Sequence, residues 1–265
     1  MGSRVIDLGT PHLVLERRGV LAWCTIDRPE ARNALSPAMY RGIGRALELV
    51  TASDELEALV LTGTGDVFVP GGDMGDPTQA EPWPGQVLPF GALRHSRVPV
   101  VTAVNGICQA SGLLLALLSD VAVASDRAVF RAPELLRGFP DMWFAAVLPA
   151  HVGVGRARDL MLTGRRVDAR EACAIGLVER VVAHDELEQA AEEAAYELLE
   201  AAPLARNAWR RAVNASYGVV DESSQEAAAS SPEVTEGFGA FLAKRPPAWS
   251  RRPTTQPLAT GDHGE

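Results

Sequence analysis

Val98-Pro99-Val100-Val101-Thr102-Ala103-Val104-Asn105-Gly106-Ile107-Cys108-Gln109-Ala110-Ser111-Gly112-Leu113-Leu114-Leu115-Ala116-Leu117-Leu118 reads as strand, turn and helix in direct succession. The largely apolar run Val98 to Val104 predicts a strand, which Asn105 and Gly106 stop, and a helix is expected from about Ala110 to Leu118. Short strands at Val121 to Ala124 and Ala128 to Phe130 follow, around the turn Ser125-Asp126-Arg127. This alternation predicts an α/β architecture with parallel pairing.

Upstream, His12 to Glu16 and Val20 to Ile26 are separated by Arg17, Arg18 and Gly19, a hairpin signal. Ser36 followed by Pro37 opens an amphipathic helix to about Thr51, with Met39, Ile43, Leu47 and Val50 on one face. Leu56 to Thr62 is a buried strand, and Gly63 to Gln86, rich in Gly, Pro and Asp, is a loop. From Ala145 onward the pattern is almost wholly helical: Gly155 to Thr163, Asp168 to Ile175, Asp185 to Ala201, Leu204 to Ser216 and Pro232 to Ala243. Three parts are expected: a core over residues 1–195, a helical C-terminal subdomain over 196–249 serving trimerisation or as a lid, and a disordered tail over 250–265 that has hardly any apolar residues.

Composition excludes several functions. A formal net charge of −9 and a pI near 5.1 offer no basic field for a phosphate backbone, so nucleic acid is not an expected partner. No apolar run is long enough to span a bilayer, and Asp7 and Pro11 interrupt what a signal peptide would need, so a cytoplasmic protein with no membrane partner is expected. Cys24, Cys108 and Cys173 are widely spaced in apolar segments and read as buried thiols. The five histidines lack metal-ligand spacing, and no complete dinucleotide fingerprint occurs, so neither a metal nor a separate cofactor is expected.

Two glycine turns could carry chemistry: Phe68-Val69-Pro70-Gly71-Gly72-Asp73, and Asn105 to Gly112. Glycine lets the backbone turn sharply and approach a ligand, and the first N–H groups of the helix near Ala110 have no partners inside it. One N–H from each turn, aimed at one point, would stabilise an enolate oxygen by roughly 3 to 4 kcal/mol per donor. Spacing alone leaves open that both are ordinary turns.

The segment Arg28-Pro29-Glu30-Ala31-Arg32-Asn33-Ala34-Leu35 resembles the entry motif of the crotonase (enoyl-CoA hydratase/isomerase) superfamily. That family's F-x-A-G-x-D is similar to Phe68 to Asp73, with Pro70 where alanine is usual, and its A-V-N-G…G-G turn to Ala103 to Gly112, with Ser111 in place of a glycine. Phe130-Arg131-Ala132-Pro133-Glu134 resembles its F-x-x-P-E segment, and Leu162-Thr163-Gly164, Gly176-Leu177-Val178 and Phe241 to Pro246 resemble its later signatures. The resemblance covers nearly the whole chain in order. It implies a spiral of ββα units with a helical C-terminal region, assembly as homotrimers or dimers of trimers, and acyl-CoA substrates, coenzyme A being part of the substrate. Gly72 and Ser111 fall on its two oxyanion-hole positions, and a backbone donor survives the change to serine.

Hydratases of this family use two glutamates; one falls on Glu134 and the other on Leu114, which can neither hold water nor take a proton. The pattern resembles that of enoyl-CoA isomerases, so an isomerase or atypical hydratase is expected, with Glu134 catalytic rather than a surface carboxylate. Trp143 and Phe144 either narrow and dry the pocket or serve as core aromatics. Asp141 falls where dienoyl-CoA isomerases and β-diketone hydrolases carry a functional aspartate, and it can equally cap the helix that follows. Two alternatives stay open: carbon–carbon bond hydrolysis of a diketone using Asp141, and acyl-CoA binding with little catalysis. Ser111 lacks the elbow and the histidine of a nucleophile. For the coenzyme A end, the resemblance points to Arg28 and Arg32 near the phosphates, Phe241 and Lys244 closing the adenine region, and Pro70, Asp73 and Trp143 lining the site.

Overall fold

A computed structural model describes residues 6–73 and 88–251. Most of the tail expected over 250–265, and the part of the expected loop from residue 74 to Gln86, lie outside the described residues.

The hairpin is strands β1 (Leu13–Arg18) and β2 (Leu21–Ile26), paired antiparallel with Leu13 opposite Ile26. Helix α1 (Pro37–Thr51) begins as expected: Ser36 accepts from the Met39 N–H and Pro37 occupies the first turn. Its buried stripe holds Met39, Ile43, Leu47 and Val50, and also Tyr40.

Strands β3 (Ala58–Gly63), β5 (Val100–Val104) and β7 (Val121–Ser125) continue from β2 in parallel, and β10 (Arg180–Val182) closes a six-stranded sheet ordered β1-β2-β3-β5-β7-β10. β5 is buried throughout, as its apolar run requires. A second sheet, β4 (Val67–Val69), β6 (Ile107–Gln109), β8 (Val129–Arg131) and β9 (Val167–Asp168), stands beside it. Each of β3, β5 and β7 leads within a few residues into a short strand of the second sheet, so successive units wind as the spiral expected. After β6 comes α3 (Ser111–Leu117); after β8 come a 3-10 helix (Glu134–Arg137) and α4 (Met142–Thr163), broken at Gly153.

β4 corrects the reading of Gly63 to Gln86 as loop, β6 adds a strand to the turn read from Asn105, and β9 and β10 add strands to the stretch read as almost wholly helical. These strands are two or three residues long, too short to show alternation, and exist through their pairing. Helix α5 (Ala169–Ile175) turns Ala169 and Ala172 inward and leaves Cys173 exposed, whereas Cys24 and Cys108 are buried.

Helix α6 (Leu187–Glu200) lays Leu187, Ala191, Ala194 and Ala195 on the six-stranded sheet, so the boundary expected at 195/196 falls inside a continuous helix. The outer helices α7 (Pro203–Ala215), α8 (Glu222–Ala229) and α9 (Pro232–Leu242) follow. α7 is anchored by charge: Arg210 Nε and Nη2 donate to Asp120 at 2.5 and 2.7 Å, and Arg210 is buried.

Candidate active site

The glycine turn from Phe68 to Asp73 is held from three sides. Asn33 Nδ2 donates to the Val67 and Thr64 carbonyls, and its Oδ1 accepts from the Arg28 N–H. Asn105 Nδ2 donates to the Gly65 and Val67 carbonyls. Two buried amides thus fix the carbonyl of Val67 just ahead of Phe68 to Asp73, which explains asparagine at both positions. Leu35 then bridges to Gly72: the Leu35 N–H donates to Gly71 O and the Asp73 N–H to Leu35 O, each at 3.0 Å. Because amides alternate along an extended segment, the N–H of Gly72 points away from Leu35.

The other turn arrives on that side. A Cβ built on Gly71 would lie 3.0 Å from the Cβ of Ala110, so the two turns touch. Ala110 has φ 53 and ψ −124, a conformation glycine prefers, and its N–H is held by Arg131 O at 3.1 Å. Such backbone strain costs on the order of 1–3 kcal/mol and clusters at functional sites. It swings the next peptide so that Ser111 opens α3 with an N–H that has no acceptor inside the helix. The structure therefore brings the turns that carry Gly72 and Ser111 into contact from separate units of the spiral.

Glu134 is buried and its Oε2 has no hydrogen-bond partner among the described residues. Burial first, and then the nearby Asp141 charge, push its carboxyl up to about 8, against opposing pulls from Arg137 and Arg131. Asp141 caps α4: Oδ1 accepts from the Trp143 N–H at 2.9 Å and the Phe144 N–H at 3.3 Å. Burial raises it to about 6 in spite of those bonds, which favour its charged form. The capping expectation for Asp141 holds, and it does not remove the residue from the site, because its charge reaches both Glu134 and Tyr40. Both carboxyls therefore hold their protons more tightly than free ones, Glu134 the more strongly.

Leu114 is buried in α3 and offers no polar atom. Trp143 and Phe144 are buried; Trp143 stands edge-on to Phe90 at 5.5 Å, and Phe90 edge-on to Tyr40 at 6.5 Å. Sequence reasoning missed Tyr40, which sits one place off the stripe read for α1. Its hydroxyl lies 2.5 Å from Ser111 Oγ. The available signal was that a tyrosine entering a core needs a polar partner for its oxygen.

The cations fall differently from expectation. Arg28 Nη1 donates to Asp73 Oδ2 at 2.7 Å and to Ala34 O at 3.0 Å, so this pair fastens the entry motif to the glycine turn, and much of the Arg28 charge is met inside the chain. Arg32 is exposed at the left-handed end of the 3-10 turn Pro29–Ala31, and Pro70 is half-buried beside Gly71. Phe241 receives Arg137 over its ring at 4.1 Å, which draws it toward the Glu134 segment, while Lys244 is exposed just past α9.

The family model described as enoyl-CoA hydratase/isomerase matches residues 16–252. The chain belongs to the enoyl-CoA hydratase/isomerase family. It is 33% identical over 252 residues to a probable enoyl-CoA hydratase of Rhizobium meliloti, covering 91% of this chain and 98% of that one. It is 32% identical over 258 residues to the carnitinyl-CoA dehydratase of Salmonella typhi, covering 91% and 98%. Among solved structures it is similar to a carnitinyl-CoA hydratase of Mycobacterium avium, with a TM-score of 0.80 and 31% identity over 92% of this chain and all of that one. As an enoyl-CoA hydratase/isomerase family member it is an enzyme of the crotonase fold. Among the described residues no helix is long and apolar enough to cross a membrane, and no group of three His, Cys, Asp or Glu could hold a metal.

Proposed function

We propose that this enzyme moves a proton beside the thioester of an unsaturated acyl-CoA, as an isomerase or as a hydratase whose second carboxylate is Asp141 rather than residue 114. The observation that carries this reading is Glu134, a buried carboxyl whose Oε2 has no hydrogen-bond partner among the described residues and whose proton affinity is raised. In the proposed reaction the thioester oxygen lies between the N–H groups of Gly72 and Ser111, which stabilise the enolate. Isomerisation needs one carboxylate to take a proton from the α carbon of a 3-enoyl chain and return it to the γ carbon. Hydration needs a base to take a proton from water as its oxygen attacks the β carbon, and an acid to protonate the α carbon. The Glu134 and Asp141 pair supports either, and the aromatic file Tyr40, Phe90, Trp143 supports an acyl pocket shielded from water.

The coenzyme A phosphates are assigned to Arg32, the more open of the two arginines expected there, and the adenine region to Lys244 with Phe241. The exposed apolar side chains Leu204, Trp209 and Val219 support assembly as a homotrimer or dimer of trimers. The test is incubation with 2-enoyl, 3-enoyl and dienoyl CoA esters, products being identified by mass spectrometry. A shifted double bond marks the isomerase and a gain of water the hydratase. Glu134→Gln is expected to lower turnover by on the order of 10²–10⁴; full turnover in that variant would remove Glu134 from the mechanism.

A further inference from the structure

We propose that the Ser111 hydroxyl, oriented by Tyr40, is a third hydrogen-bond donor to the thioester oxygen, beside the two backbone N–H groups. The inference rests on the acyl-CoA reading above and goes beyond it, since a backbone donor alone does not require a side chain at position 111.

The two hydroxyl oxygens are 2.5 Å apart, within the range of a short O–H···O bond. A phenol is a stronger acid than an aliphatic alcohol, so in a mixed pair the tyrosine is the better donor. Burial and the charges of Asp141 and Glu134 keep the Tyr40 proton on its oxygen. The Tyr40 O–H therefore donates and Ser111 Oγ accepts. That leaves the Ser111 proton to be given onward, and hydrogen bonds in series polarise one another. The proton sits on the same residue as an N–H of the donor pair, at the first position of α3.

Tyr40 is itself well fixed. It is buried on α1, its ring stands edge-on to Phe90, and the Ser36 cap and Pro37 fix the first turn of α1 that carries it. Tyr40 is thus a positioning residue acting through Ser111, and Ser111 is the group that touches substrate.

The direct measurement is the infrared carbonyl band of a bound saturated acyl-CoA carrying ¹³C at the thioester carbon. This readout needs binding but no turnover. In the wild-type enzyme the band is expected well below that of free thioester, and Ser111→Ala and Tyr40→Phe should each move it part of the way back. Ser111→Thr, which keeps the hydroxyl, should restore the wild-type position. In kinetics with whichever CoA ester is turned over, Ser111→Ala should lower kcat by about 10- to 100-fold with little change in KM. Tyr40→Phe added to Ser111→Ala should cost less than Tyr40→Phe costs alone, because its effect on turnover passes through Ser111. Ser111→Gly serves where the alanine variant folds poorly.

A band shifted from free thioester but unmoved by Ser111→Ala would overturn the third donor while leaving the two-donor site and the Glu134 reading intact. Full additivity of Tyr40→Phe with Ser111→Ala would overturn the relay. Failure of the wild type to bind the ester at all would remove the functional reading together with this one.

Discussion

Gly112→Ala tests whether the two backbone donors matter. Gly112 is the second residue of α3 and lies against β4; a Cβ built there would stand 2.7 Å from the Val69 Cβ and also collide with the Val69 carbonyl. Apolar carbons rest at about 3.5–4.0 Å, so relief demands a displacement of about 1 Å. Neither side can yield by a rotamer change, because the obstacles are strand backbone and a β-branched stem. The start of α3 must move, and it carries the N–H of Ser111 away from that of Gly72. Donors to an oxyanion work at about 2.7–3.1 Å, and losing one costs roughly 10²–10³ in turnover. A 1 Å misplacement alone is worth on the order of 10². The expected result is a folded variant whose kcat has dropped on the order of 100-fold, with an overpacking cost of about 1–3 kcal/mol in urea unfolding. The assay is steady-state turnover of the active CoA ester alongside calorimetric binding of coenzyme A. Gly44→Ala, where an added Cβ meets nothing within 4 Å, is the control and should keep full turnover. A folded Gly112→Ala enzyme with wild-type kcat would refute the assignment of Ser111 N–H as a donor.

The raised carboxyls make a statement about pH. Glu134, moved from 4.5 to about 8, and Asp141, from 3.8 to about 6, hold protons more tightly folded than unfolded. The unfolded chain then binds fewer protons across this window, so stability is highest in mild acid and falls as pH rises toward 8. Urea midpoints from pH 4 to 9 should show that decline, flattened in Glu134→Gln; an unchanged slope would deny the shift. Turnover should be bell-shaped, with limbs near 6 and 8 belonging to the pair. Arg210→Ala strands the Asp120 charge among buried neighbours and should cost roughly 3–5 kcal/mol in unfolding free energy. Trp209→Glu, on the exposed face of α7, is expected to shift the assembly toward monomer by light scattering, and an unaltered mass would place the interface elsewhere.

Much of the fold was legible where local signals agree. Ser36 and Pro37 open α1 as read, and the strand-turn-helix run from Val98 onward appears with small boundary changes. The short strands were not, since Val67–Val69 and Arg180–Val182 carry no period of their own and are defined by neighbours far along the chain. For α4 the cap at Asp141 and the last stretch from Gly155 were read, but not the continuity between them, because Pro149 and Gly153 interrupt the pattern. In the site, the meeting of the two glycine turns and the capping by Asp141 were readable from motifs. The engagement of Arg28 by Asp73 and of Tyr40 by Ser111 was not, for each joins residues more than forty apart by a contact that only the tertiary fold creates.

One late element bears on the site from a distance. α9 lies against the 3-10 helix that bears Glu134: a Cβ on Gly237 would stand 2.7 Å from the Arg137 Cα, one on Gly138 would meet the Glu233 backbone, and Phe241 takes the Arg137 guanidinium on its face. The segment that sets the acidity of Glu134 is therefore finished only when the C-terminal helix has docked, a hundred residues after the carboxyl has been made. A nascent chain that has built both sheets still lacks the helix that packs on the Glu134 segment, and in a chain clipped before Pro232 the proton affinity of Glu134 would be expected to drift toward that of an ordinary glutamate.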